Sequence, residues 1–159
     1  MTIAFNHLGR MGQLGNQMFQ YASLKGIARN RGRDYMIPNN TEVVVDSLGN
    51  RLRTEIFRPF DLPEVKVGVL QTDQYIQEPH FHFSNELFST CPDNVSLVGY
   101  FQSPRYFNHI RYEILKDFTF KSHILVNICP EKLLLSKCNF SNLSNFIKVE
   151  GISPDSPQA

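Results

Sequence analysis

The stretch TIAFNHLGRMGQLGNQMFQYASLKGIARNRGRDYMIP, residues 2–38, changes its periodicity twice. It opens with a short apolar run, TIAFNHLG, which ends at Gly9 and reads as a strand. From Asn16 the period becomes helical: Met18, Tyr21, Ala22, Lys25 and Ala28 share a face, and Phe19, Leu24 and Ile27 widen its apolar side. Asn16 has the chemistry of an N-cap, because its side-chain oxygen accepts a hydrogen bond from a first-turn amide. Gly32 marks the helix end, and the short strand that follows stops at Pro38. Strand, glycine turn, helix and strand make the opening βαβ unit of an α/β fold, with the two strands parallel.

Residues 39–63 mix Asn, Asp, Gly and Arg with an aromatic cluster and read as a surface excursion with some local structure. VKVGVLQ (65–71) is a candidate strand, and QEPHFHFSNELF (77–88) an extended segment leading into a turn. NVSLVGYFQS (94–103) is a stronger strand, preceded by the turn signal CPDN. Ser103 as cap and Pro104 at the first helical position predict a helix running to about residue 116 or 117. After Lys121 the character shifts toward Asn and Ser. Residues 130–137 are the one convincing helix there, and the Pro/Ser-rich last eight or so residues are expected to be disordered. The expected organisation is a domain over residues 1–121 and a divergent segment over 122–159.

A length of 159 residues suits one domain of ordinary size. With 16 basic and 15 acidic residues the formal charge is +1, so no broad field points to nucleic acid or an anionic membrane as the main partner. The start of the chain lacks a basic segment followed by an extended apolar core, and no window approaches the roughly 20 apolar residues of a membrane span. The expected location is therefore cytoplasmic, or peripheral to a membrane through the substrates considered below. Cys91, Cys129 and Cys138 are an odd set without CxxC spacing, which disfavours a disulfide framework and a zinc site alike.

A glycine turn between a strand and a helix brings backbone amides, with the positive end of the helix dipole behind them, close to whatever sits above the strand end. Glycines at 9, 12 and 15 give Gly-x-x-Gly-x-x-Gly, which is not the dinucleotide fingerprint, and Gly15-Asn16-Gln17 is not the Gly-Lys-Ser/Thr of a P-loop. Physics alone leaves two readings: an anion or sugar-nucleotide site, or a tight turn in which Asn16 caps the helix and Gln17 is solvated. The amides of Asn16 and Gln17 carry both donors and acceptors, which suits sugar hydroxyls as well as phosphate oxygens.

GQLGNQMFQYASLKGIARNRG (12–32) resembles the N-terminal motif of the alpha-1,2-fucosyltransferases, glycosyltransferase family 11, which reads Gly-x-x-Gly-Asn-Gln-Met-Phe-Gln-Tyr-Ala ahead of a helix. LVGYFQSPRYF (97–107) resembles the family's Gly-Tyr-Phe-Gln-Ser segment, and QEPHFHFSNELF is similar to its intervening stretch. The resemblance covers about residues 3–121. It implies the Rossmann-like, three-layer N-terminal domain of a GT-B glycosyltransferase, with a mostly parallel sheet and the C-terminal half absent. It implies transfer of fucose from GDP-fucose to the 2-hydroxyl of a galactose-containing glycan, with inversion and without metal or cofactor. Gly15, Asn16 and Gln17 would sit at the cleft, with Gln13 and Leu14 lending backbone to the donor or acceptor, and Asn16 would be the best catalytic candidate. Tyr100, Gln102 and Ser103 are candidates for the cleft wall, or else residues of packing and a helix cap.

The family's second signature, His-x-Arg-Arg-x-Asp, whose arginine would clamp the donor diphosphate, does not occur in this sequence. The nearest string, NRGRDY (30–35), lacks the histidine and the adjacent arginines, and Arg31 and Arg33 read as solvated. His80 and His82 would share one face of a strand, but no further ligands stand near them. The chain therefore reads as the acceptor-side half of a transferase, weak or inactive alone, to which a separate C-terminal polypeptide would be the complement. The alternative is a non-catalytic glycan- or nucleotide-binding remnant of the same fold. A small nucleotide-binding α/β protein of another kind rests only on the βαβ opening. No general base is assigned.

Overall fold

The computed structural model describes residues 1–39 and 42–124. Residues 1–121 form one compact unit; the second unit, 122–159, lies almost wholly outside the described residues, and with it the expected helix over 130–137, the tail, Cys129 and Cys138. β1 (Thr2–Ala4) leads through a turn into α1 (Leu14–Arg31) and returns in β2 (Asp34–Ile37), paired parallel to β1 with Thr2 opposite Asp34. After a hairpin of β3 (Val44–Val45) and β4 (Arg51–Leu52) come β5 (Lys66–Val67), β6 (Tyr75–Gln77), α2 (Asn85–Thr90), β7 (Val95–Val98) and α3 (Arg111–Asp117). The main sheet runs β5-β2-β1-β7-β6, and every pairing in it is parallel. All five strands thus end at the same edge, which gathers their following loops.

The amphipathic pattern of α1 understates its burial. From Gln20 to Ala28 every residue is buried, because the helix packs on β1 and β2 and is covered by α2 and the turn at Pro104–Tyr106. It stops as the glycine predicts: Gly32 takes φ 62°, its N–H donates to Arg29 O, and the N–H of Arg33 donates to Ala28 O, the paired bonds of a Schellman motif. Arg31 and Arg33 are not solvated as read. Arg31 donates to the carbonyls of Cys91 (3.2 Å) and Ser89 (2.8 Å), and Arg33 pairs through two nitrogens with the Asp93 carboxylate. The helix end is thereby fastened to the turn before β7.

Three expectations change. α1 begins at Leu14, capped by Gln13 without a side-chain bond, so Asn16 is the third helical residue rather than the cap. The segment over 77–88 takes in the last residue of β6, an exposed turn and the start of helix α2, whose N-cap Ser84 accepts through Oγ from Leu87 N at 3.2 Å. The single helix predicted from Pro104 is two 3-10 turns, Pro104–Tyr106 and Asn108–Ile110, before α3, and Ser103 makes no capping bond. The break has a packing cause: the Tyr106 ring is fully buried, and its hydroxyl accepts from Ser84 N at 2.9 Å.

Beside α1 lies a buried ion cluster. Lys25, 1% exposed, donates to Asp117 Oδ2 at 2.7 Å and Glu64 Oε2 at 3.2 Å, and Tyr21 OH donates to the same Asp117 oxygen at 2.7 Å. Burial alone would lower the pKa of Lys25, yet its bond to Asp117 and the neighbouring charges leave it raised. Burial likewise raises that of Tyr21, so both protons stay in place at neutral pH. The excursion over 39–63 is only partly on the surface: Ile56 and Phe60 join the core, where Phe60 stacks with Phe118 and Phe120.

Cys91 is buried and free, and burial pushes its thiol up to about 11. At pH 8 a thiol shifted that far carries about two orders of magnitude less thiolate than a free cysteine. Peptide-resolved mass spectrometry after iodoacetamide at pH 8 is expected to find Cys91 alkylated at least that much more slowly than glutathione in the same tube.

Candidate functional site

β1 and β7 are neighbours in the sheet, so the loops after Ala4 and Val98 lie side by side at its carboxyl edge, where open parallel sheets hold ligands. In the first loop, Gly9 takes φ 84° and Gly12 φ 85°. A Cβ on Gly9 would sit 2.6 Å from the backbone of Thr54, and one on Gly12 2.1 Å from Asn16 Nδ2. These two glycines turn the corner. Gly15 has no such duty: nothing lies within 4 Å of where its Cβ would be, which leaves an open surface on the first turn of α1.

The amides that follow divide their work. Gln17 is fully buried; its Nε2 donates to Arg53 O at 2.8 Å, and its Oε1 accepts from the N–H groups of Glu55 (2.7 Å) and Ile56 (3.2 Å). It is a strut between α1 and the 53–56 segment, neither solvated nor facing the cleft. Gln13 and Gly15 are exposed, and Leu14 packs against the core. Arg10 and Arg53 place guanidinium groups on these segments, paired with Glu42 and Glu55.

The second loop is held in an unusual shape. Phe101 takes φ 52°, a left-handed conformation that costs a non-glycine residue on the order of 1–3 kcal/mol. Several bonds impose it. Glu78 Oε2 accepts from the N–H groups of Tyr100 (3.0 Å) and Phe101 (2.9 Å), Ser23 Oγ donates to Phe101 O (2.9 Å), and Gln20 Nε2 donates to Gly99 O (2.9 Å). The Phe101 ring is fully buried, edge-on to Phe5. The loop delivers Gln102, exposed, to the start of α1, where its Nε2 donates to Asn16 Oδ1 at 2.7 Å. Tyr100 and Ser103 flank it, both half-buried; the Ser103 carbonyl accepts from Tyr106 N.

Of the predicted residues, then, Asn16 and Gln102 meet, with Gln13, Gly15 and Tyr100 on the same segments, while Gln17 is withdrawn into the fold. Sequence reasoning missed Gln20 and Glu78. Gln20 had a signal, a third amide one helical turn beyond Asn16 and Gln17; Glu78 had none. His80 and His82 are exposed and bond locally, His82 N to His80 Nδ1 at 3.3 Å. Among the described residues no group of three or more His, Cys, Asp or Glu could hold a metal ion, and no helix is long and apolar enough to cross a membrane.

Over 123 residues the chain is 33% identical to galactoside alpha-(1,2)-fucosyltransferase 2 of Mus musculus, a match covering 74% of this chain and 31% of that one. The same enzyme of Oryctolagus cuniculus is 30% identical over the same shares, and galactoside 2-alpha-L-fucosyltransferase SEC1 of Bos taurus 28% over 113 residues, 71% of this chain and 28% of its own. Over this shared segment the chain is related to the alpha-1,2-fucosyltransferases. The chain spans about a third of the length of the curated relatives it matches. No protein-family model matches it, and no solved structure does.

Proposed function

We propose that this chain is the acceptor-side half of an inverting, metal-independent alpha-1,2-fucosyltransferase of GT-B architecture, taking a galactose-containing glycan on the surface formed by Gly15, Asn16 and Gln102. The observation that carries the reading is the Asn16–Gln102 bond, which joins the two family motifs at the carboxyl edge of a parallel sheet. In the reaction the galactose 2-oxygen bonds to the anomeric carbon of fucose, the bond from that carbon to the GDP oxygen breaks with its electron pair leaving on GDP, and the hydroxyl proton passes to a base outside the residues assigned here. Fixed donors aimed at oxygen favour such a step where charge develops. Asn16 supplies one, Gln13 and Gly15 supply the exposed part of the first turn, Leu14 seats that turn on the core, and Tyr100 and Ser103 form the wall. Gln17 supports that turn from behind. The donor is GDP-fucose, whose diphosphate clamp, with the His-x-Arg-Arg-x-Asp sequence, would lie in a C-terminal half outside residues 1–159.

The second reading is a glycan-binding remnant without transfer activity. Calorimetric titration of the chain with lactose, GDP-fucose and GDP tests the first. Lactose is expected to bind near 1 mM, about −4 kcal/mol, and GDP-fucose more weakly. Asn16→Ala should abolish the lactose heat while circular dichroism stays unchanged. A folded chain that takes up no lactose would overturn the acceptor-side assignment. Lactose binding with no fucose transfer after a family C-terminal half is added would favour the remnant.

A further inference from the structure

An amide side chain has two faces of opposite chemistry, and a half-turn about its last torsion exchanges them. A site that uses Asn16 therefore needs something to fix which face meets the ligand. We propose that Gln102 is that positioning residue: by donating to Asn16 Oδ1 at 2.7 Å it occupies the carbonyl and leaves the Asn16 NH2 group to meet a ligand oxygen. The inference rests on the functional reading above.

The fold puts more structure behind Gln102 than a surface residue needs. Three side chains, Gln20 and Ser23 from α1 and Glu78 just after β6, bond to the backbone of residues 99–101 and hold Phe101 in its left-handed conformation. Gly99, at φ 149°, leaves the space for Glu78: a Cβ there would meet Glu78 Cβ at 2.5 Å. All of this determines where Gln102 leaves the backbone. On the other side, the Asn16 amide lies against Gly12, whose missing side chain clears the place for Nδ2. If Asn16 alone turned over, its NH2 would face the Gln102 NH2 and the bond would be lost; the reversed bond forms only if Gln102 turns over as well. The ligand chemistry so selected is an oxygen lone pair, from a sugar hydroxyl or from a phosphate, beside the unobstructed surface of Gly15.

The polarity is tested without ligand by NMR of the chain labelled with 15N in its side-chain amides. One Gln102 NH2 proton is expected downfield and slow to exchange, and in Asn16→Asp it should move further downfield as the new carboxyl ionises. If the Asn16 NH2 is the downfield one instead, the proposal fails. Binding then reads out the role, with lactose and GDP titrated separately to tell the sugar source from the phosphate source. Gln102→Glu, nearly isosteric but no donor, should weaken the ligand by about tenfold or more, the cost of one misdirected bond; Gln102→Lys, still a donor, should stay within about threefold. A Gln102→Glu chain that binds as the parent does would overturn the proposal. A parent chain that binds neither probe overturns the functional reading, while the NMR still decides the polarity.

Discussion

Lys25→Ala is expected to lower the unfolding free energy by about 3–5 kcal/mol, the range for removing one partner of a buried ion pair. The cause is what remains. Asp117, 6% exposed, would keep the bond from Tyr21 but lose its cation at 2.7 Å, leaving a charge in the core with half its compensation. Glu64 and Glu113, exposed and within 3.5 Å of the ammonium, would lose little by comparison. For a domain whose whole stability is of order 5–15 kcal/mol, the loss would show in urea denaturation as a large fall in midpoint. The double change Lys25→Met with Asp117→Asn removes both charges and keeps an acceptor for Tyr21 OH. It is expected to recover at least half of the loss. A single Lys25→Ala within about 1 kcal/mol of the parent would mean that the cluster is solvated in solution.

Gly26→Ala is expected to destabilise as well, against the usual rule that alanine improves a helix interior by about 0.5–1 kcal/mol. The added methyl would lie 2.0 Å from Tyr106 O and 2.9 Å from Phe107 Cα, and both are backbone atoms with no rotamer to change. The turn at Pro104–Tyr106 must then move off α1, for a loss of about 1–3 kcal/mol or more. Because that turn directly follows Gln102, lactose binding should fall together with the thermal midpoint. A variant as stable as the parent would show that the turn is not pressed onto the helix.

The opening βαβ unit was legible because its signals are local: the period shifts from strand to helix within one turn, and Gly32 supplies the left-handed stop that the helix needs. Local reading failed where distant contacts decide. The start of α1 follows from the left-handed conformation of Gly12, which moves Asn16 three places into the helix. Gln17 became a strut because its partners are 36 to 39 positions downstream. The helix expected from Pro104 breaks because the core draws in Tyr106, which no propensity encodes. At the candidate site, the resemblance selected Asn16 and Gln102 separately; their bond spans 86 residues and required the fold.

One side chain also reinforces the β5 edge of the sheet. Asn6 Nδ2 donates to Leu70 O and Asn6 Oδ1 accepts from Leu70 N, both at 2.9 Å, although neither residue belongs to a strand. β2 lies between their strands, so this amide spans the end of β2 as a rung of ladder built from a side group. The strands here are two to four residues long. In a sheet that small, part of the pairing code is written outside the backbone, and a map of the sheet drawn from main-chain pairing alone would leave out the tie that holds its β5 edge in place.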